Sequence, residues 1–185
     1  VAASAYQIEW KNIIRPVAVP GCVFSFFSNL GSATSKGFDL QLDVAPVEGL
    51  QLGLMVGYNN VEFDASIRAA GATSNIVTKG HTLGGNPWTV TVNGQYDFVG
   101  PMGLDSYVRA DYTYRGKNDG LTPASDPTNA NYDALVPLDP STHQLRLRAG
   151  VKVKDADLSV FVNNATNNLP RLGIGHGTRT GQIFT

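Results

Sequence analysis

Between Ser35 and Tyr58 the chain alternates in character with a two-residue period across two consecutive runs, and this stretch does most to limit the folds open to it. Phe38, Leu40, Leu42 and Val44 are apolar, with Asp39, Gln41 and Asp43 between them. Pro46, Val47, Glu48 and Gly49 then read as a tight turn. Beyond it Leu50, Leu52, Leu54, Val56 and Tyr58 alternate with Gln51, Gly53, Met55, Gly57 and Asn59. A period of two sends successive side chains to opposite faces of a β-strand. The stretch therefore predicts a hairpin with one apolar and one polar face and strands of about ten residues.

The signature recurs along the chain. Ala5 to Ile13 predicts a first strand, with Tyr6, Ile8 and Trp10 on its apolar face and Gln7, Glu9 and Lys11 opposite. Arg15 to Asn29, with Pro16, Pro20 and the aromatic group Phe24, Phe26 and Phe27, reads as a long excursion that re-enters the sheet near Ser32. A Gly-, Ala-, Ser- and Thr-rich loop follows the hairpin from Ala65 to Asn86. Pro87 to Phe98 is a fourth strand (Trp88, Val90, Val92, Tyr96, Phe98 apolar), and a turn over Val99 to Leu104 leads to a fifth (Val108, Ala110, Tyr112, Tyr114 apolar). After the loop Gly116 to Pro140 comes a sixth strand with Leu145, Leu147, Ala149, Val151 and Val153. The turn Lys154 to Asp157 leads to a seventh with Leu158, Val160 and Val162. The expected fold is all-β, with about seven antiparallel strands, no helix and no domain break.

Composition removes several alternatives. A formal net charge of -1 over 185 residues leaves no basic footprint for nucleic acid. No run of 18 apolar residues exists, so no helix of this chain crosses a bilayer, and strands are the membrane route that remains. The lone Cys22 has no internal disulfide partner and reads as a spare thiol in a loop.

Three features separate a membrane barrel from a soluble sandwich. Strands two to six reach the nine to eleven residues or so that cross a bilayer at a tilt. Short turns fall at one end of the strands and long loops at the other, as in outer-membrane barrels. With the short turns placed at the periplasmic side, Trp10, Phe38, Tyr58, Trp88, Tyr112 and Tyr114 fall toward the outer strand ends and Tyr6, Tyr96 and Phe98 toward the inner ends, as two aromatic girdles. Alternation then assigns Glu9, Lys11, Asp39, Asp43, Asp97, Arg109, Asp111, Arg115, Arg146, Arg148 and Lys152 to the lumen. Seven strands do not close with antiparallel pairs throughout. Residues 1-185, which open on Val1 without a leader-like segment, are thus expected to be one partial domain with edges at Ala5 to Ile13 and Leu158 to Val162.

The order of several segments carries a more specific resemblance. AYQIEWKNI, NLGSATSKGFDLQLDVAPVEGLQLGLMVGY, NPWTVTVNGQYDF, YVRADYTYRG, LRLRAGVKVKDADLSVFVNNATN and GQIFT together resemble the C-terminal part of a TonB-dependent receptor, of the type common in sphingomonad-like bacteria. The resemblance implies a bacterial outer-membrane barrel of about 22 strands plugged by an N-terminal domain. It implies import of a scarce nutrient such as a siderophore, cobalamin or a saccharide. The implied partners are the rest of the receptor chain (plug and upstream strands), outer-membrane lipid, and TonB through the parent. The resemblance further implies that the plug, the TonB box and the final strand lie outside residues 1–185.

Other chemistry is weakly supported. His81, His143 and His176 lack a second ligand at metal spacing. GIGHGTRTG near Gly173 lacks the strand and helix that a phosphate cradle needs. Asn164, Ala165 and Thr166 form a sequon without use in a bacterium. Asp119, Asp126, Asp133, Asn129 and Asn131 read as turn residues ahead of a calcium loop, and no catalytic grouping emerges. The candidate ligand-binding residues are Arg109, Arg115, Arg146 and Arg148, suited to anionic ligands, with the loops Ala65 to Asn86 and Gly116 to Pro140 as exterior contacts. A second expectation, structural in kind, is that a fragment released outside the cell pairs its open edges with other copies of itself into cross-β filaments, with Asn163 to Asn168 supplying amide ladders.

Overall fold

The computed structural model describes residues 1–18, 24–68, 73–83, 85–118, 120–129, 132–170, 175–176 and 183–184. Cys22, Asp119, Asn131 and most of the GIGHGTRTG run lie outside them. Seven strands form one sheet: β1 (Ala2–Trp10), β4 (Ala33–Val47), β5 (Leu50–Phe63), β8 (Trp88–Val99), β9 (Asp105–Arg115), β10 (Thr142–Val153) and β11 (Ala156–Val162). They pair in that order and antiparallel throughout. Short strands lie outside the sheet as two hairpins, β2 (Ile14–Ala18) with β3 (Ser25–Asn29) and β6 (Ile67–Arg68) with β7 (Asn75–Val77), and as the pair β12 (Gly175–His176) with β13 (Ile183–Phe184). The excursion expected after the first strand is thus a hairpin, and the sheet resumes at Ala33. No helix among the described residues is long and apolar enough to cross a membrane.

The alternation fixes the register. Phe38, Tyr58 and Trp88 are directly paired, as are Leu40, Val56 and Val90, then Leu42, Leu54 and Val92, so the apolar residues of three strands share one face. The pattern continues through Tyr112, Leu145, Leu147 and Val162. The first hairpin turn is tighter than expected, because β4 runs on to Val47 and only Glu48 and Gly49 turn the chain. A register shift between Val44 and Val47 contains Pro46; proline has no N–H for the ladder, and a bulge is where a strand accommodates one.

Aromatic rings mark both ends of the apolar face. Phe38, Tyr58 and Trp88 form a cluster with ring centroids 4.8 to 5.9 Å apart at the loop end, and Tyr96 stacks on Phe98 at 5.7 Å toward the turn end. From Trp88 to Phe98 is ten residues, about 33 Å of strand, or roughly 25 Å of height at the tilt usual in such barrels. That is the height of an outer-membrane apolar band.

The first strand departs from expectation. Its register sets Tyr6 opposite Gly37, Ile8 opposite Ser35 and Trp10 opposite Ala33, all on the face that carries Asp39. Ser4 accordingly approaches Asp39, Oγ to Oδ2 at 3.5 Å. Tyr6, Ile8 and Trp10 therefore sit on the polar face, and Glu9, opposite Thr34, sits on the apolar one. Tyr6 is level with the outer girdle and does not mark the inner end. The isolated strand reads as alternating, but its phase relative to the sheet comes from pairing with β4, and a one-residue difference in register exchanges the faces. Lys11 falls beyond the strand, beside Glu9 at 3.9 Å with both side chains exposed.

The buried core lies at the loop end of the sheet and not along its middle. Ile13, Val17, Leu30, Ala33, Phe63 and Val77 are buried together, with Val61, Ile67, Ile76 and Leu83 packed around them. Ala33 and Phe63 are directly paired and share the face of Asp39. The core thus lies on the polar side of the sheet at its loop end, where the hairpins fold inward.

Candidate functional site

Three of the four candidate arginines converge. Arg109 on β9 lies directly opposite Arg148 on β10, and Arg146 opposite Asp111. Facing pairs of this kind bring Cβ atoms to about 5 Å. They line a hollow of about 560 Å³ on the polar face toward the turn end, together with Gln95, Lys152, Asp157 and Asn163. Four cations (Arg109, Arg146, Arg148, Lys152) there meet two carboxylates (Asp111, Asp157). Asp111 is committed to Arg109, which reaches it through Nη2 at 2.7 Å and Nε at 2.9 Å. Arg146 donates to the Gln144 side-chain carbonyl at 2.9 Å, and the Arg148 guanidinium lies 5.7 Å from the centre of the Phe161 ring. Neither Arg146 nor Arg148 has a carboxylate within ion-pair distance among the described residues. Arg115 stands apart from this group. It pairs with Thr89 and Thr142, six residues along β9 from Arg109, about 20 Å away.

Tyr107 shapes the floor of the hollow. It is 6% exposed and lies across the strand from Gly150, where a Cβ would come 2.5 Å from its ring. Glycine at that position makes room for the ring to lie flat on the backbone. The Tyr107 hydroxyl donates to the Asp157 carboxylate at 3.2 and 3.3 Å. Tyr6 covers Gly37 in the same manner near the loop end.

The loop end is built differently, and its central contact was not legible from spacing. His81 and Asp126, 45 residues apart, are both buried, with His81 Nε2 and Asp126 Oδ2 2.7 Å apart. The Thr78 backbone N–H donates to His81 Nδ1 at 3.2 Å. Nδ1 is therefore the acceptor, and Nε2 carries the proton donated to Asp126. The other Asp126 oxygen accepts the backbone N–H and hydroxyl of Thr128 at 2.8 and 2.7 Å. Those Thr128 bonds first, and the His81 contact after them, hold the Asp126 pKa down at about 2. Asn129 donates to the Ile76 carbonyl at 2.9 Å, Asp133 accepts the Leu135 N–H, and the Thr82 N–H donates to the Leu121 carbonyl at 2.8 Å. The loop between β5 and β8 and the loop between β9 and β10 are thereby joined into one body, and Asp126 and Asp133, two of the residues weighed for calcium, serve as turn residues.

The remaining histidine among the described side chains, His143, is a strand-end residue of the apolar face, with Nδ1 2.7 Å from the Tyr112 hydroxyl. Asn164 and Asn168 hold a compact turn. Asn168 N–H donates to Asn164 Oδ1 at 3.0 Å, Asn164 Nδ2 donates to the Asn168 carbonyl at 3.1 Å, and Asn168 Oδ1 accepts the His143 N–H. These amides are occupied within the chain.

The family description that matches the chain is TonB dependent receptor-like, β-barrel, over residues 1–167. No curated protein and no solved structure matches it. The match takes in every strand of the main sheet, both aromatic girdles and the basic hollow. The apolar face is accordingly the lipid side of an outer-membrane wall and the polar face its lumen side. The chain belongs to the TonB dependent receptor-like β-barrel family.

Proposed function

We propose that this barrel segment serves nutrient import across the outer membrane, and that its lumen wall favours an anionic cargo. The observation that carries the reading is the charge imbalance at Arg109, Arg146, Arg148 and Lys152. Like charges directly opposite on neighbouring strands destabilise a sheet, yet Arg109 faces Arg148 while Arg146 and Arg148 have no carboxylate within ion-pair distance among the described residues. An anion entering the hollow removes that repulsion and gains charge-assisted, two-pronged hydrogen bonds from guanidinium groups. Arg115, higher on the same face, extends the basic path toward the mouth. The other partners of this reading are the plug, the upstream strands, outer-membrane lipid, and TonB acting through the whole receptor.

Arg146→Gln and Arg148→Gln together, placed in the intact receptor, are expected to lower uptake of anionic nutrients and leave neutral ones unchanged. Undiminished uptake of ferric siderophores and acidic sugars alike would dispose of the reading.

A further inference from the structure

A second cavity, at the opposite end of the wall, has a different chemistry. It measures about 440 Å³ and lies where the β2–β3 hairpin meets the two joined loops. Val17, Leu30, Phe63 and Val77 form its apolar walls, Arg15 is the charged group among its lining residues, and Pro123 lines it as well. Phe63 shares the lumen-side face of the sheet, so the cavity lies on that side at the loop end. Three contacts hold its walls in fixed relation: His81 to Asp126, Asn129 to the Ile76 carbonyl, and Thr82 to the Leu121 carbonyl. It is preformed, and its volume falls within the range of small-ligand sites.

Arg15 gives the cavity its polarity. It alternates with Val17 on the inward side of β2, opposite Ser28, and it has no carboxylate within ion-pair distance among the described residues. Arg15 is exposed while the neighbouring Val17 is buried. A cation with no ion-pair partner among the described residues, at the edge of a small apolar chamber, suits a ligand with an apolar body and one acidic group.

We propose that this mouth cavity is a recognition site for small amphipathic carboxylates, an aromatic or short aliphatic body seated against Phe63 and Val77 with its carboxylate on Arg15. The inference rests on the import reading and adds a cargo class to it, since an anion held first at Arg15 is the kind that Arg115 and the lower arginines would accept.

The test uses the intact receptor in detergent, with para-fluorophenylacetate and its neutral amide as probes followed by fluorine NMR. The acid is expected to bind saturably and more tightly than the amide. Arg15→Gln is expected to weaken the acid roughly tenfold or more, the loss of one charge-assisted contact, and to leave the amide as it was. Pro123→Phe, which fills the cavity, should remove both. All of these measurements are made in receptor that also carries Arg146→Gln with Arg148→Gln, which removes the lower hollow as a second anion site, so that failure of the lower hollow in uptake and failure of the mouth site are read separately. Should Pro123→Phe fail to fold, the acid and amide compared with and without Arg15→Gln in that background decide the matter. Equal binding of acid and amide, no saturable binding of either, or binding that survives Pro123→Phe overturns the proposal.

Discussion

Halfway down the sheet Leu42, Leu54 and Val92 stand side by side on one face, and Val92 is 44% exposed. At the mouth Ile13 and Phe63 are 0% and 3% exposed. The two regions are made of the same residue types in the same chain, and the difference lies in what covers them. The wall has one layer of protein, and its apolar side chains are buried only once lipid lies against them. The mouth folds back on itself, so its core forms from protein alone. Each region therefore fails in its own way, and substitutions can tell the two apart.

The largest effect is expected at the mouth. Phe63→Ala removes the ring at the centre of the only buried cluster among the described residues, at a cost of about 3–5 kcal/mol. Because the ladder below Phe63 is independent of that packing, the loops should become susceptible to protease while the barrel keeps its resistance to unfolding. If the whole receptor loses thermal stability together, the mouth is part of the wall's cooperative unit and the contrast fails.

The wall is next. Leu54→Arg puts a charge on the lipid face near mid-height, which costs about 2–4 kcal/mol at the bilayer midplane. Met55→Arg, one residue on, lies on the lumen face beside Gln41 and Thr91 and should fold nearly as well as the parent. Equal damage at both positions, measured by unfolding in lipid vesicles, would mean that the register drawn from the alternation is out of phase.

The joint between the outer loops gives a smaller and pH-dependent effect. Asp126→Ala strands the buried His81 N–H and should cost about 1–3 kcal/mol of loop stability. In the unaltered chain the Asp126 pKa is lowered from its ordinary value of 3.8 to about 2. The stabilisation is therefore complete above the ordinary value and is lost as pH falls through about 2. Hydrogen exchange at the Thr78 and Thr82 amides should accelerate across that interval, and Asp126→Asn should flatten the dependence. A profile unchanged by Asp126→Asn would assign the acid sensitivity to other carboxylates.

The same contrast explains what could be read from the sequence. In the wall each strand sees only two environments, so alternation locates strands four, five, eight, nine and ten and assigns their faces without any knowledge of tertiary contacts. It fails at β1, where Tyr6, Ile8 and Trp10 are as apolar as a lipid-facing row but sit on the lumen side. The phase there comes from pairing with β4, and no local pattern carries it. At the mouth His81 reaches Asp126 across 45 residues, and Arg15 reaches a cavity walled by three separate segments. Contacts of that kind depend on how loops fold over one another, and turn-rich sequence has no period to reveal it. The arginine group is intermediate: its shared face was legible, whereas the separation of Arg115 from the other three needed the inter-strand register.

That register also supports the smallest prediction, at the floor of the basic hollow. Tyr107 belongs to the wall, yet it is buried like a mouth residue, because Gly150 opposite leaves its backbone bare and the ring fills the space. Tyr107→Phe keeps the ring and removes the hydroxyl bonded to Asp157, a loss of about 0.5–1.5 kcal/mol. The released Asp157 lies directly opposite Lys152, so the variant exchanges a tyrosine partner for an ammonium one and lowers the free positive charge of the hollow. If the hollow holds an anion, Tyr107→Phe should weaken anion uptake more than it weakens the fold, whereas a purely structural tyrosine would change stability and leave uptake alone. A wall residue that acts on cargo through a carboxylate, with the barrel hardly disturbed, would show that protein-made burial operates inside the wall as well as at its mouth.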